Sequence, residues 1–156
     1  MPKNLFYSAF LLFFSFGLFA SDSKGVLHSY SSLHKALAGD KLVDARATAT
    51  AAQSDLANYL KTVASPTEPL NKMQAGIQAL AQSQTDEESR KAFGLYSEGA
   101  TSLIRQNDSL KKDWQLFYCP MVPKGTFGYW AQPKGESILN PYYGAKMLTC
   151  GVKRPW

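Results

Sequence analysis

The chain has 156 residues, with 17 Lys+Arg against 12 Asp+Glu and a formal net charge of +5, a length that points to one domain of ordinary size. With 45% apolar and 19% charged residues it can bury a core, which excludes a disordered charged tail, a collagen or a coiled-coil rod. Two Cys are too few for a disulfide-dense toxin, and charge this sparse makes no nucleic-acid stripe.

Lys3 is followed by an uncharged, largely apolar run from Leu5 to Phe19 that closes on Ala20-Ser21. The run is shorter than the ~20 residues a bilayer-spanning helix needs. A basic start, a short apolar centre and a small residue at the end predict a secretory signal peptide over residues 1–20, cleaved after Ala20. A retained N-terminal anchor is the alternative. After cleavage no stable membrane insertion is expected.

Residues 24–107 are predicted to be helical throughout, as an antiparallel four-helix bundle of all-α class. Val26, Leu27, Tyr30, Leu33 and Leu37 recur at three- and four-residue spacing, and Gly39-Asp40 reads as a C-cap glycine followed by an N-cap aspartate. A second helix, from about Lys41 to Val63, carries Leu42, Ala45, Ala49, Ala52, Leu56, Tyr59, Leu60 and Val63 on one stripe; its small alanines let a neighbouring helix approach closely. Ser65-Pro66-Thr67-Glu68 reads as a capping box with proline at the first helical position, opening a helix that carries Leu70, Met73, Ile77 and Leu80. Thr85-Asp86-Glu87-Glu88 is a second capping box, opening a helix that carries Ala92, Phe93, Tyr96, Ala100, Leu103 and Ile104. The acidic groups at Asp40/Asp44 and Asp86 to Glu88 are assigned to helix starts, where negative charge is favoured.

Composition changes at residues 113–156, a segment that holds all three Trp and both Cys. Trp114 to Tyr118 has strand-like content and Gly125 to Gln132 can pair with it, predicting a short β-hairpin. An isolated hairpin is marginal in water, so this irregular, aromatic-rich segment must pack on the bundle and form one domain with residues 24–107. Trp114, Phe117, Phe127, Tyr129, Trp130, Tyr142 and Tyr143 are read as its contact surface, with an aromatic platform for a partner as the alternative. Lys111-Lys112 and Lys153-Arg154 are read as solvated ends.

Within this segment Cys119-Pro120-Met121 and Met147-Leu148-Thr149-Cys150 each present a thiol and a thioether two or three residues apart. Such soft sulfur ligands select Cu(I) or Ag(I) over hard cations, making Cys119, Met121, Met147 and Cys150 candidate metal ligands. The alternative is equally concrete: a Cys119–Cys150 disulfide closing a loop of about 30 residues, with both methionines as core fillers, in a non-enzymatic structural or protein-interaction module. His28 and His34 face directions roughly 120° apart on a helix and cannot readily chelate one ion together, so each is assigned to solvent or packing. No GxSxG, HExxH, P-loop or dinucleotide fingerprint occurs. The chain is therefore read as non-enzymatic, with no catalytic residues.

The string Tyr118-Cys119-Pro120-Met121, then Gly128-Tyr129-Trp130, then Ile138 to Gly151 with Asn140-Pro141-Tyr142-Tyr143-Gly144 and Met147-Leu148-Thr149-Cys150, resembles the exported family known as domain of unknown function 3347. That family also occurs at the C-terminus of Cus-type copper/silver efflux adaptors. Tyr30, Leu33, Lys35-Ala36-Leu37 and Asp40 match its opening pattern, so the resemblance spans nearly the whole chain after the leader. It implies a periplasmic helical domain associated with heavy-metal resistance, with Cys119, Met121, Met147 and Cys150 in the ligand positions. The implied partners are the metal ion and a metal efflux system or another periplasmic protein. Asn140 and Pro141 match as well, in the role of shaping the turn that carries the second sulfur pair towards the first. The hairpin, lipoyl and barrel regions of an efflux adaptor have no counterpart in this sequence, and Pro123-Lys124-Gly125 replaces the polar, acidic or Asn-rich run frequent in the family.

Overall fold

A computed structural model describes residues 19–156, with side chains from residue 23. All but the last two residues of the expected leader lie outside the described residues. Four long helices, α1 (Phe19–Ala38), α2 (Leu42–Leu60), α3 (Glu68–Gln82) and α4 (Asp86–Arg105), are followed by a short α5 (Asp108–Asp113). Three strands follow, β1 (Trp114–Tyr118), β2 (Tyr129–Pro133) and β3 (Val152–Arg154), with a 3₁₀ helix at Gly144–Met147 before the last. The helical bundle and the short β segment are therefore both present. Among the described residues no helix is long and apolar enough to cross a membrane.

Successive helices fold back on one another, α1 on α2, α2 on α3 and α3 on α4, because the connections are too short for anything else. The α2 stripe of Ala45, Ala49 and Ala52 is fully buried as its small side chains predict, although the helix stops at Leu60, short of Val63. Contact between α1 and α4 is slight, and β2 packs on α4 beside it. One core results: Leu33, Phe93 and Tyr96 from the helices join Trp114, Phe117, Trp130 and Tyr142 from the C-terminal segment.

Polar groups inside that core hold the sheet to the helices. The Tyr30 hydroxyl meets the Ser97 hydroxyl at 2.8 Å and accepts from the Ala131 amide at 3.0 Å, while the hydroxyls of Ser97 and Tyr142 both donate to the Tyr129 carbonyl. Buried hydrogen-bonding groups left without partners are costly, so this network specifies how the sheet sits on the bundle. Burial pushes the Tyr30 and Tyr142 hydroxyls well above the ordinary phenol range.

Several local expectations are corrected. The third helix starts at Glu68 with Thr67 at its N-cap and Pro69 in its first turn, not Pro66; Pro69 supplies the preset backbone angle three residues further on. The Thr85 box forms as read, with reciprocal bonds between Thr85 and Glu88. Asp40 is not an N-cap. It sits at φ 56° just past α1, with Lys41 N bonded to Ala36 O and Asp40 N to Leu37 O, the Schellman pattern that usually takes glycine. An aspartate tolerates this left-handed conformation, and here its carboxylate is used elsewhere. Lys153 and Arg154 are solvent-exposed as read, but they also form part of β3, which pairs antiparallel with β1. Lys111 and Lys112 belong to α5, where Lys111 pairs with Asp108. The second hairpin strand begins at Tyr129, four residues after Gly125, whose positive φ of 84° turns the loop instead.

Candidate metal centre

The position of the cysteines follows from strand register. β1 lies between β2 and β3, with Tyr118 opposite Tyr129 on one side and opposite Val152 on the other. Cys119 follows β1 directly and Cys150 ends two residues before β3, so antiparallel pairing delivers both to the same end of one strand pair. Both are free thiols, Cys119 buried and Cys150 half-buried, and with Tyr118 opposite Val152 both lie just past the end of the β1–β3 pairing. Burial first, and then Cys119 beside it, push the Cys150 thiol above its ordinary range. The Cys150 thiol therefore holds its proton at neutral pH unless an ion displaces it.

Short contacts fix the backbone on each side. Cys119 N donates to Gly128 O at 3.0 Å, and a Cβ on Gly128 would lie 2.8 Å from Cys119 O, so glycine lets the returning loop close down on the first motif. Asn140, fully buried, holds the second. Its Nδ2 donates to Cys150 O at 2.7 Å, its Oδ1 accepts from the amides of Tyr142 and Tyr143, and its own amide donates to Leu148 O at 2.6 Å. Phe117, Trp130 and Tyr142 form an aromatic wall: Phe117 and Trp130 stack at 5.5 Å and Tyr142 meets Trp130 edge-on at 6.1 Å. A Cβ on Gly151 would lie 2.5 Å from the Trp130 ring, which puts the second motif directly against this wall.

The thioethers lie at the margin. Met121 is 57% exposed, so the expectation of a core filler fails for it, because the loop after Pro120 turns outward. Its carbonyl accepts from the Tyr143 hydroxyl, tying the first motif to the second. Met147 is half-buried at the end of the 3₁₀ helix. The aromatics read as contact surface divide: Trp114, Phe117, Trp130 and Tyr142 are buried, while Phe127, Tyr129 and Tyr143 are half-exposed. Among the described residues no group of three or more His, Cys, Asp or Glu that could hold a metal ion converges.

The histidines separate as their helical spacing requires. His28 is exposed and His34 wholly buried. His34 Nε2 lies 2.6 Å from Leu139 O, one residue before Asn140, and Nδ1 has no partner; the ring is thus neutral with its proton on Nε2. Burial lowers its pKa from 6.5 to about 4, opposed in part by the bond to Leu139. Its folded value lies below its unfolded value, so the stability it confers is complete above pH 6.5 and is lost as pH falls towards 4. Urea titrations at pH 7 and pH 5 are expected to differ by about 2 kcal/mol on this account, and His34→Gln should remove most of that difference. An unchanged difference in the variant would assign the pH dependence to other groups.

Two organising residues were not apparent from sequence. Arg90, on the polar side of an amphipathic helix, reads as solvated, yet its side chain is only 10% exposed and ties Asp40 and Asp86 to the carbonyls of Leu37 and Pro141. Its i,i+4 spacing from Asp86 is the one legible signal. Gln132 is fully buried; it accepts from Trp130 Nε1 at 3.1 Å and donates to Ser137 O at 2.8 Å, shaping the loop that leads to Asn140. A polar residue ending an apolar strand was its only mark.

No family model, curated protein or solved structure matches this chain.

Proposed function

We propose that this is an exported, periplasmic soft-metal-binding protein that takes Cu(I) or Ag(I) as cargo, for buffering, delivery or efflux support, and that it is not an enzyme. One observation carries the reading: strand pairing brings two free thiols, one buried and one half-buried, to the same end of the β1–β3 pair. Paired soft donors in an apolar setting favour a soft monovalent ion over hard cations. Cys119 and Cys150 would hold the ion as thiolates, releasing their protons on binding. Met121 and Met147 are the neighbouring thioethers, and exposed Met121 suits the step in which a partner's ligand exchanges for the protein's. The resemblance of the Cys/Met motifs to the exported heavy-metal-associated family supports the same cargo and a periplasmic location after removal of the leader.

The test is an anaerobic titration of the reduced protein with Cu(I), and separately Ag(I), against a competing chelator. Cys119→Ser and Cys150→Ser should each lower affinity by more than about 100-fold, beyond the 10–100-fold that loss of a supporting contact costs. Met147→Leu should cost less. Binding no tighter than that of an unrelated reduced dithiol, or indifference to the cysteine substitutions, would overturn the proposal.

A further inference from the structure

The same two sulfurs have a second chemistry that requires no metal. We propose that Cys119 and Cys150 are a reversible thiol–disulfide couple in which Cys150 is the entering sulfur and Cys119 the resolving one. A small disulfide-bearing oxidant would close the pair. The last consequence, that closure withdraws the pair from soft-metal binding, rests on the function proposed above; the couple itself does not.

Three observations carry this. The thiols are free, and the antiparallel pairing of β1 with β3 brings the backbones that carry them to the same end of one strand pair. The backbones bearing them are held in place, Cys119 through Gly128 O and Cys150 through Asn140 Nδ2 and Met147 O; a disulfide tolerates only a narrow range of geometry, and held backbones keep the pair in register through repeated cycles. Exposure is unequal, with Cys119 at 0% and Cys150 half-buried. An oxidant from solution can therefore touch Cys150 but not Cys119, and access governs which thiol reacts first.

The chemistry balances in two exchanges. The Cys150 thiolate attacks one sulfur of the oxidant's disulfide; the other sulfur leaves as a thiolate and takes up a proton, and a mixed disulfide forms on Cys150. The Cys119 thiolate then attacks Cys150 Sγ, breaking the mixed disulfide and expelling the second oxidant sulfur, which is protonated in turn. Two thiols of the protein become one disulfide, and one disulfide of the oxidant becomes two thiols, with two electrons and two protons transferred.

The test exposes reduced, metal-free protein to glutathione buffers from fully reduced to fully oxidised, quenches with acid, and reads intact mass. The wild type should become two hydrogens lighter and retain no glutathione. Cys119→Ser should keep one glutathione on Cys150, while Cys150→Ser should be captured at least about tenfold more slowly. Because Cys119 is buried, Cys119→Ala repeats the readout if the serine variant does not fold, with circular dichroism confirming the fold of each. A wild type that keeps both thiols in oxidised glutathione, or a Cys150→Ser variant captured as fast as Cys119→Ser, would overturn the couple. Ag(I) titration of both redox forms separates the two proposals. Disulfide formation in a protein whose reduced form binds no Ag(I) overturns the metal reading alone, and Ag(I) binding without disulfide formation overturns the couple alone.

Discussion

Arg90→Met is expected to destabilise the fold by about 1–3 kcal/mol, the range for leaving a buried polar group without its partner, since the paired carboxylates are themselves about half exposed. The guanidinium, 10% exposed, uses its whole fork: Nε to Asp86 at 2.5 Å, Nη1 to Leu37 O at 3.0 Å and Pro141 O at 2.6 Å, and Nη2 to Asp40 at 2.6 Å. Methionine keeps the apolar stem and abolishes every one of these bonds. The Pro141 carbonyl would lose its Arg90 donor, and the Leu37 carbonyl would keep only the Asp40 amide. Asp40, whose carboxyl is held below its ordinary range by the Ala145 amide and then by Arg90, would lose its cation. Asp40 and Asp86 reach solvent along part of their length, which favours the lower end of the range. Arg90→Lys tests the geometry separately, because an ammonium restores the charge but not the fork; it should recover less than half of the loss. Urea unfolding measures both. A loss under about 1 kcal/mol for Arg90→Met would show that the guanidinium is dispensable to the junction of α1, α4 and the Cys segment.

Gly99→Ala is expected to cost about 3 kcal/mol, at the upper end of the usual overpacking range, against an intrinsic helix preference that favours alanine by about 1 kcal/mol. A Cβ at Gly99 would lie 2.3 Å from Pro69 O and 2.8 Å from Met73 N. These are backbone atoms of α3 and cannot be rotated aside, so the two helices would have to separate. Gly76, which packs against the Tyr96 backbone with 2.4 Å available to a Cβ, makes the same contact from the other helix and should respond alike. Gly25 is the control. It lies in α1, exposed, with nothing within 4 Å of its missing Cβ, and Gly25→Ala should be neutral or stabilising by up to about 1 kcal/mol. Thermal melts that rank Gly25→Ala above the wild type and Gly99→Ala well below it support the close helix crossing. Equal melting temperatures for all three would contradict it.

Local signals served the helices well. The spacing of Leu33, Leu37, Leu70, Met73, Ile77, Phe93 and Ile104 identified buried faces, and each of these residues is buried. Thr85 and Glu88 marked a helix start because their reciprocal bonds span three residues and require nothing distant. Where a residue's partner is remote, its role was hidden. Asp40 reads as a cap from its neighbours, yet its carboxylate accepts from Arg90 and from the Ala145 amide at 2.9 Å. That contact also explains Gly144, which has φ 54° and would place a Cβ 1.8 Å from Asp40 Oδ1. His34 and Arg90 are likewise explained by the carbonyls of Leu139 and Pro141, in a segment far along the chain.

Sequence alone determined the helical class, the course of the first four helices and the two sulfur motifs, because periodicity, capping and residue chemistry act over a few residues. It left the two cysteines as separate motifs, open to either metal or disulfide chemistry. Only the tertiary structure decided that they meet. Their meeting depends on β3, whose three residues are all exposed and show no alternation, so no hydrophobic pattern announces the strand. Its place comes from hydrogen bonds to β1, with Tyr118 opposite Val152, and such non-local backbone pairing leaves no imprint on the side chains that form it.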